Sequence, residues 1–288
     1  LLGLMWRLRM RFLCCVLGLA ASVEAQAVFQ THHDRIPNFA VAPTVQSRTD
    51  GDYGSAATWN TGIVPTATDV VAITHTVECS GACTAHTIGI FPGGILTFSP
   101  AQPTRLDYCT LQVAGGILRA LAVHGQKIDL VRCDQPLDTA DDDIGIYDPF
   151  QFGGGVLVNV GSILVREMPK TPFLRIAVAP LQGHTRLTLA TAPSGWRIGD
   201  VIVLPDTRQH TRARRLPWGG QWELGTIAGI EGVTVILATP LQFNHLGNGP
   251  HSPHVVNLTR VITFRSANPL GTRGHFIAFN RAAVDMRY

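Results

Sequence analysis

A short glycine-led unit recurs along the chain and sets the strongest limit on its fold. Gly93-Gly94-Ile95-Leu96 returns 22 residues later as Gly115-Gly116-Ile117-Leu118, then as Gly154-Gly155-Val156-Leu157, and loosely as Gly161-Ser162-Ile163-Leu164. This spacing suits one coil of a parallel β-helix, in which glycine turns a corner before an apolar strand stacks on the previous coil. The alternative is a β-sandwich with glycine turns, whose hairpins recur every 8–12 residues or so. The repeated unit favours the solenoid.

The composition agrees with an all-β chain. Only 15% of the 288 residues are charged and 45% are hydrophobic, which excludes intrinsic disorder and a long solvated coiled coil. Short runs rich in Val, Ile, Leu and Thr alternate with Gly, Pro or Asn turns, and no long window carries a helical apolar period. We therefore predict an all-β fold, a parallel β-helix that carries a small antiparallel β insertion.

Residues 1–27 have the features of a secretory signal peptide. Three arginines precede an apolar run over 12–23, and small residues follow it around Ala25. The run is too short to span a bilayer comfortably, although an uncleaved anchor is the alternative. Without this leader the formal net charge of +3 falls to about +1, so no basic patch indicates nucleic acid. We predict a secreted or cell-surface protein with no membrane span after leader removal.

Four cysteines remain after the leader, and their spacing predicts two disulfides. Cys79 and Cys83 are separated by a short turn. Cys109 and Cys133 are 24 residues apart, about one coil, and stacked positions on adjacent coils lie near the usual Cα spacing of a disulfide. A zinc site built from the four is the alternative, but the spacing lacks the paired C-x-x-C pattern.

The distribution of apolar, polar and turn residues along the chain predicts five segments. They are a leader over 1–27, an irregular arm over 28–49, a β-solenoid over 50–170, a β-rich insertion over 171–252 and further coils over 253–288. The last segment ends on an alternating strand without a turn or cap, which predicts a truncated gene product.

Two antiparallel hairpins are predicted inside the insertion. The first joins Thr185–Leu189 to Asp200–Leu204 across Pro193-Ser194-Gly195, and the second joins Leu224–Ile230 to Val233–Leu237 across Glu231-Gly232.

Motifs from about residue 50 to the end of the chain resemble the G8 domain family, named for its eight glycines. The motifs at the beginning are Gly54-Ser-Ala-Ala-Thr-Trp-Asn-Thr-Gly-Ile-Val-Pro65, Asp69-Val-Val-Ala-Ile73 and Phe91-Pro-Gly-Gly-Ile-Leu-Thr-Phe98. Those that follow are Asp148-Pro-Phe-Gln-Phe-Gly-Gly-Gly155, Gly195-Trp-Arg-Ile-Gly-Asp200, Leu204-Pro-Asp-Thr-Arg-Gln209, Pro240-Leu-Gln-Phe-Asn-His-Leu-Gly247, Asn257-Leu-Thr-Arg260 and Gly271-Thr-Arg-Gly-His275.

The resemblance is to the region shared by cell-surface and cell migration-inducing hyaluronidases and fibrocystin-like proteins. It implies an extracellular right-handed parallel β-helix and a link to hyaluronan or a related polysaccharide. It assigns no catalytic residue to a position in this chain, so the candidates follow from their chemistry.

The strongest local set of catalytic groups is Asp206, Arg208 and His210. In an extended segment these alternate residues share one face, and they combine an acid, a cation and a group that titrates near neutral pH. Hydrolysis of a glycosidic bond needs two carboxyl groups, and a lyase needs a base and a cation near a uronic acid. His275 joins Asp206 and Arg208 as a catalytic candidate at a strand entrance. The alternative for Asp206 and Arg208 is a surface ion pair.

Substrate binding is predicted for His210, Trp218, Trp222 and Arg273. Exposed tryptophans present flat apolar area to sugar faces, although packing under a loop is the alternative. Arg273 could bind a sugar carboxylate. Asp285 could face the same groove.

Two further clusters bear on metal binding. No cofactor or metal site is predicted, although an acidic cluster that is otherwise a solvated loop could bind calcium. The histidine cluster indicates a mobile polar loop rather than a metal site. The acidic residues are Asp138, Asp141, Asp142, Asp143 and Asp148, and the histidines are His245, His251 and His254.

The sequence therefore predicts a secreted protein that binds an anionic polysaccharide such as a glycosaminoglycan. If it also depolymerises the polymer, it is a hydrolase or a lyase. The alternative function is a non-catalytic extracellular adhesion or structural module.

Overall fold

The computed structural model describes residues 28–30, 35–122, 125–135, 148, 152–208 and 219–287. These residues form two compact units. The solenoid unit runs up to residue 167 and resumes over 261–287, and the barrel unit is 168–260. Strands dominate both units, so the predicted all-β class is confirmed.

Fifteen strands precede the barrel unit. They are β1 Val28–Gln30, β2 Arg35–Pro37, β3 Val45–Gln46, β4 Gly51–Asp52, β5 Val70–Ile73, β6 Thr76–Cys79, β7 Ala82–Thr84, β8 Thr87–Ile90, β9 Ile95–Phe98, β10 Thr104–Tyr108, β11 Thr110–Ala114, β12 Ile117–Ala122, β13 Ile128–Arg132, β14 Val156–Asn159 and β15 Ser162–Glu167.

The barrel unit and the returning solenoid supply the other strands. They are β16 Phe173–Arg175, β17 Arg186–Thr188, β18 Val201–Leu204, β19 Glu223–Glu231, β20 Thr234–Leu237, β21 His254–Asn257, β22 Ile262–Ser266, β23 Phe276–Phe279 and β24 Ala283–Arg287. The helical segments among the described residues are two 3₁₀ turns, Ala56–Thr58 and Gly249–His251. No described helix is long and apolar enough to cross a membrane.

Three parallel sheets make up the solenoid. Sheet A contains β3, β5, β8, β11, β14 and β23; sheet B contains β4, β6, β9, β12, β15 and β24; and sheet C contains β7, β10, β13 and β22. The chain passes from A to B to C and then returns to A one coil further on, which is the predicted parallel β-helix. The barrel unit is inserted between β15 and β22, where other coils make a short turn from B to C.

The register of sheet B explains the repeated glycine unit and shows which of its copies are structurally equivalent. Ile95 pairs with Ile117, and Ile117 pairs with Ser162, so the glycine before each of these residues stacks at one corner. The looser match at Gly161 is therefore the member that continues the repeat. The closer match at Gly154 precedes Val156, which pairs with Leu111 in sheet A and lies at a different corner.

The same corner has a left-handed backbone in successive coils. Gly93 has φ 87° and Gly115 has φ 88°, and the corresponding residues further on are Val160 at φ 57° and Arg281 at φ 63°. Glycine adopts this region freely, whereas a β-branched residue such as valine is strained there. Side chains at Val160 and Arg281 thus replace glycine without changing the corner.

The central strands of sheet A are buried on both faces, unlike those of sheet B. Strands β8, β11 and β14 are buried along their whole length, while β6 and β9 alternate between buried and partly exposed residues. The outer face of sheet A packs against the β1–β2 hairpin, where Phe29 and Ile36 join Phe91 and Leu157 in one apolar cluster. The segment over 28–49, expected to be irregular, therefore begins with a hairpin and then contributes β3 to the solenoid.

Both predicted disulfides are present. Cys79 bonds to Cys83 around the turn from β6 to β7. Cys109 and Cys133 follow the paired residues that end β10 and β13, so they stack on adjacent coils, with a Cα–Cα distance of 4.9 Å.

The barrel unit closes on itself. Its antiparallel strand order is β16-β21-β18-β19-β20-β17, and Ile176 bridges Leu189 between the two outer strands. Two hydrogen bonds complete this closure, from Ala177 N to Thr188 O at 2.7 Å and from Ala190 N to Arg175 O at 2.8 Å. Closure leaves no sheet edge to be covered.

Its interior is filled by apolar side chains from every strand, with β16 contributing the partly buried Leu174. The buried ones are Leu187, Ile202, Leu204, Ile227, Val235, Leu237 and Val255 from the strands, together with Ile176, Leu189, Trp196 and Leu241 from the connections.

The barrel confirms one predicted hairpin and corrects the other. Strands β19 and β20 pair across Glu231-Gly232 as predicted. Strands β17 and β18 do not pair with each other; β17 pairs with β20, while β18 lies between β19 and β21. Because β21 belongs to this sheet, the solenoid resumes at residue 261 rather than at 253.

Candidate functional site

Asp206 and Arg208 form a closely coupled pair just after β18. Arg208 donates from Nε to Asp206 Oδ1 at 3.0 Å and from Nη2 to Asp206 Oδ2 at 2.7 Å. The Gln221 backbone N–H donates to the same carboxylate at 2.8 Å, and Arg208 Nη2 also donates to the Gly219 carbonyl. These bonds connect the two described ends of the loop that follows β18.

The hydrogen bonds from Arg208 lower the pKa of the Asp206 carboxyl well below its usual range, with help from the Gln221 N–H. Asp206 is therefore ionised at neutral pH. It is better suited to accepting hydrogen bonds or stabilising a positive charge than to acting as a general acid, because a general acid must carry a proton.

Of the other predicted site residues in this part of the chain, the structure describes only Trp222. Trp222 precedes β19 and is 56% exposed, which leaves its ring accessible. His210 and Trp218 lie outside the described residues.

His275 and Arg273 belong to the solenoid unit, in the connection from β22 to β23. Asp206 and Arg208 belong to the barrel unit. Arg273 Nε donates to the Pro269 carbonyl at 3.3 Å. The His275 ring donates from Nε2 to the Phe152 carbonyl at 2.8 Å, since a carbonyl only accepts.

A cleft of about 190 Å³ lies beside His275, and we call it the Arg132 cleft. Tyr108, Arg132 and Ser266 line it from the ends of neighbouring strands of sheet C, together with Phe264 and Arg265. The beginnings of β14 and β23 complete it, with Gly155, Val156, Gly274, His275 and Phe276.

The cleft coincides with a widening of the corner between sheets C and A. From β10 to β11 the corner is the single residue Cys109. From β13 to β14 and from β22 to β23 the connections are much longer, so the strands of these coils are not joined by a tight turn.

Arg132 is the most unusual group in this cleft. Arg132 is only 3% exposed. It pairs in register with Tyr108 on one neighbouring strand and with Ser266 on the other. Nη1 donates to the Thr272 carbonyl at 3.0 Å and Nη2 donates to the Gln135 carbonyl at 2.7 Å.

The Nε–H group of Arg132 has no hydrogen-bond partner. Among the described residues, only Thr104 Oγ1 shares this state among buried side-chain nitrogen and oxygen atoms. Burial lowers the pKa of the Arg132 guanidinium, an effect that attraction from Asp134 partly offsets.

The rim of the cleft offers a second arginine and two aromatic rings. Arg265 is paired through Nη2 with Asp129 Oδ2 at 2.7 Å, and its side chain is 43% exposed. The Phe264 and Phe276 rings meet edge to face, with centroids 6.3 Å apart. A buried cation, a rim cation and apolar rings form a suitable surface for an anionic sugar.

His245 is a structural residue rather than a metal ligand or a mobile loop histidine. It is fully buried, with Nδ1 2.9 Å from the Pro205 carbonyl and Nε2 2.8 Å from Glu223 Oε1. The Glu223 carboxylate also accepts the backbone N–H groups of Gln242 and Phe243. Every polar atom of this pair therefore has a partner.

Metal binding by the acidic and histidine clusters gains no support from the described part of the chain, where no group of three His, Cys, Asp or Glu side chains could hold an ion. Of the acidic cluster, only Asp148 is described, and its carboxylate accepts the backbone N–H groups of Phe152 and Gly153. Asp138 and Asp141–Asp143 lie outside the described residues. Asp285 pairs with Arg166 and Arg287.

Several residues of the motifs that resemble the G8 domain family have structural roles. Asp200 Oδ2 accepts from Lys170 Nζ at 3.0 Å and from Asn257 Nδ2 at 2.7 Å, and all three side chains are largely buried. Trp196 Nε1 donates to the Thr171 carbonyl. The motifs around Trp196, Asp200, His245 and Asn257 thus specify the barrel.

Arg132 was not among the candidates chosen from the sequence. The signal that could have revealed it is alternation, because Ile128 and Leu130 are core residues and Arg132 continues their inward series just before Cys133. A charged residue on the buried face of a strand calls for a partner.

No protein-family model matches the chain, and the search of curated proteins returns no match.

Proposed function

We propose that this protein binds an anionic polysaccharide such as hyaluronan or a related glycosaminoglycan outside the cell. The observation that carries the proposal is the Arg132 cleft, which combines a buried arginine, a rim arginine and two phenylalanine rings. Arginine donors suit the carboxylates of such polymers, and apolar rings suit the faces of their sugars.

The extracellular location draws support from two features. Two disulfides connect the four described cysteines, and no described helix could cross a membrane. Disulfides persist in oxidising compartments. The resemblance to the G8 domain family points the same way and stays a proposal.

Binding is favoured over cleavage by the state of Asp206. Its carboxylate is held ionised by Arg208, and a glycosidase needs a protonated acid as well as a second carboxylate. A lyase-type reaction, in which a histidine acts as base, is the catalytic alternative to binding. A spacer or adhesion module is the function to adopt if no polysaccharide binds.

Retention of the full chain on polysaccharide columns tests the proposal. We expect salt-sensitive retention on hyaluronan, chondroitin sulfate or pectate and none on a neutral glucan. Polymer size and the ultraviolet absorbance of the eluate report cleavage, since a lyase creates an absorbing unsaturated sugar and a hydrolase does not. No retention on any anionic polymer would contradict the proposal.

A matched pair of variants locates the binding surface. Phe276→Ala should weaken retention about 2–10-fold, because it removes an exposed ring from the cleft. Phe173→Ala removes an exposed ring from the barrel unit and should leave retention unchanged. Equal effects of the two variants would show that the cleft is not the polymer site.

A further inference from the structure

We propose that the Arg132 cleft is a receptor for a single carboxylate, which Arg132 binds, and that a uronic acid residue supplies this carboxylate. The inference rests on the proposed function, since an anionic polysaccharide provides the ligand. It goes beyond it by naming the group that is recognised and the side chain that recognises it.

The donor count of Arg132 leaves room for this ligand. A guanidinium carries five N–H donors. Two backbone carbonyls, those of Thr272 and Gln135, take one each from Nη1 and Nη2. These bonds leave the Nε–H group, which is buried and has no partner among the described residues, and by count one further N–H on each Nη nitrogen. A carboxylate accepts two parallel bonds from a guanidinium.

No carboxylate of the described residues is hydrogen-bonded to Arg132, although Asp134 attracts its charge. Asp134 accepts from Asn268 Nδ2 at 2.9 Å, and Asp129 is held by Arg265. Burial raises the pKa of the Tyr108 phenol, so Tyr108 stays neutral and cannot serve as the counter-anion. A buried cation left in this state is unfavourable, and a bound carboxylate would relieve it.

The shape of the site favours a carboxylate on a sugar over a small inorganic anion. A planar carboxylate matches the edge of one guanidinium. The Phe276 ring, 40% exposed at the rim, offers apolar area to the sugar that carries the carboxylate.

Calorimetric titration of the full chain with D-glucuronate tests the proposal, with glucuronamide as the matched neutral ligand. The amide keeps the sugar and the shape of the group but removes its charge. We expect glucuronate to bind at least about tenfold more tightly than glucuronamide, since a charge-assisted pair is lost. Equal binding of glucuronate and glucuronamide, or no binding of glucuronate, would overturn the proposal.

Two variants place the carboxylate at Arg132. Arg132→Lys keeps the charge but lacks the paired donors, and we expect at least about a tenfold loss of glucuronate affinity. Gly274→Val keeps Arg132 and narrows the cleft, because a Cβ at residue 274 would lie 3.3 Å from Arg132 Cγ. It should also weaken binding, and it decides the matter if Arg132→Lys does not fold.

Gly229→Val is the control for this substitution. Its added Cβ would meet Ile236 Cδ1 at 3.2 Å, so the crowding is similar but lies in the barrel unit. Unchanged glucuronate affinity in both cleft variants would overturn the proposal.

The polymer columns separate this proposal from the proposed function. If an anionic polymer is retained while glucuronate does not bind, the carboxylate receptor is refuted and polysaccharide binding stands. If the polymer is not retained either, the proposed function fails together with the inference drawn from it.

Discussion

In the barrel unit the buried carboxylates are hydrogen-bonded to basic side chains, whereas the solenoid unit buries a cation that has no hydrogen-bonded carboxylate among the described residues. Glu223 contacts His245, and Asp200 binds Lys170. Arg132 in the solenoid unit donates to two backbone carbonyls, and its Nε–H group has no partner among the described residues.

The difference separates residues that hold the fold from residues that await a ligand. A buried polar network in which every group is bonded makes one core geometry favourable. A buried charge without an opposite partner contributes little to stability and is best explained by something that binds it. This contrast makes Arg132 a stronger site candidate than the histidines and acids of the barrel.

The largest effect is expected from breaking a complete pair. His245→Leu leaves the Glu223 carboxylate buried beside an apolar side chain and should lower the free energy of unfolding by about 3–5 kcal/mol. Chemical denaturation measures this change. His251→Leu alters an exposed histidine of the same cluster and should change it by less than about 0.5 kcal/mol. Similar effects of the two variants would remove the distinction between buried and solvated histidines.

A smaller effect is expected at the left-handed corner of the solenoid. Gly115→Val should destabilise the protein by about 1–2 kcal/mol, because valine is unfavourable at positive φ. Val160→Gly, one coil further on, should relieve the same strain and raise stability by up to about 1 kcal/mol once glycine's greater flexibility is included. Thermal unfolding of the pair checks both signs, and a destabilising Val160→Gly would contradict the account of this corner.

Arg132→Met should have a small effect on stability, in contrast to His245→Leu. The variant removes two bonds to carbonyls but also removes a buried charge, so we expect a change below about 1.5 kcal/mol in either direction. Denaturation without ligand is the measurement. A loss as large as that of His245→Leu would mean that Arg132 holds the fold, and the contrast between the units would disappear.

The smallest expected effect concerns the pH dependence of the free energy of unfolding at acid pH. Arg208 lowers the pKa of Asp206 below its unfolded value of about 3.9, so the pair stabilises the folded state fully only above that value. This contribution falls as the pH drops toward the lowered folded pKa. The stability difference between the wild type and Asp206→Asn should thus be constant above about pH 5 and shrink below about pH 4. A difference that stays constant through this range would show that Asp206 gains nothing from its charge.

Local patterns predicted much of the fold. The glycine unit at Gly93 and Gly115 marked the coil length, and the spacing of Cys109 and Cys133 matched one coil. Closure of the barrel could not be found this way, because the bridge between Ile176 and Leu189 depends on strands that pair out of sequence order. The predicted β17–β18 hairpin was wrong for the same reason, because it assumed that strands consecutive in the chain pair with each other.

The site was predictable only where its chemistry was visible in the chain. Asp206 and Arg208 do meet, because alternate residues of an extended segment share a face. His275 lines the Arg132 cleft, but no local pattern in the chain indicates that Tyr108, Arg132 and Ser266 stack beside it. That juxtaposition follows from the register between β10, β13 and β22, and the last two are separated by the whole barrel unit.

The most direct test of the unpartnered cation is nuclear magnetic resonance of the arginine Nε–H groups. The resonance that disappears in Arg132→Lys identifies Arg132. It should shift saturably as D-glucuronate is added to the wild-type chain and stay in place with glucuronamide, because a carboxylate accepts from Nε–H. A resonance that does not respond to glucuronate, or responds equally to the amide, would contradict the account.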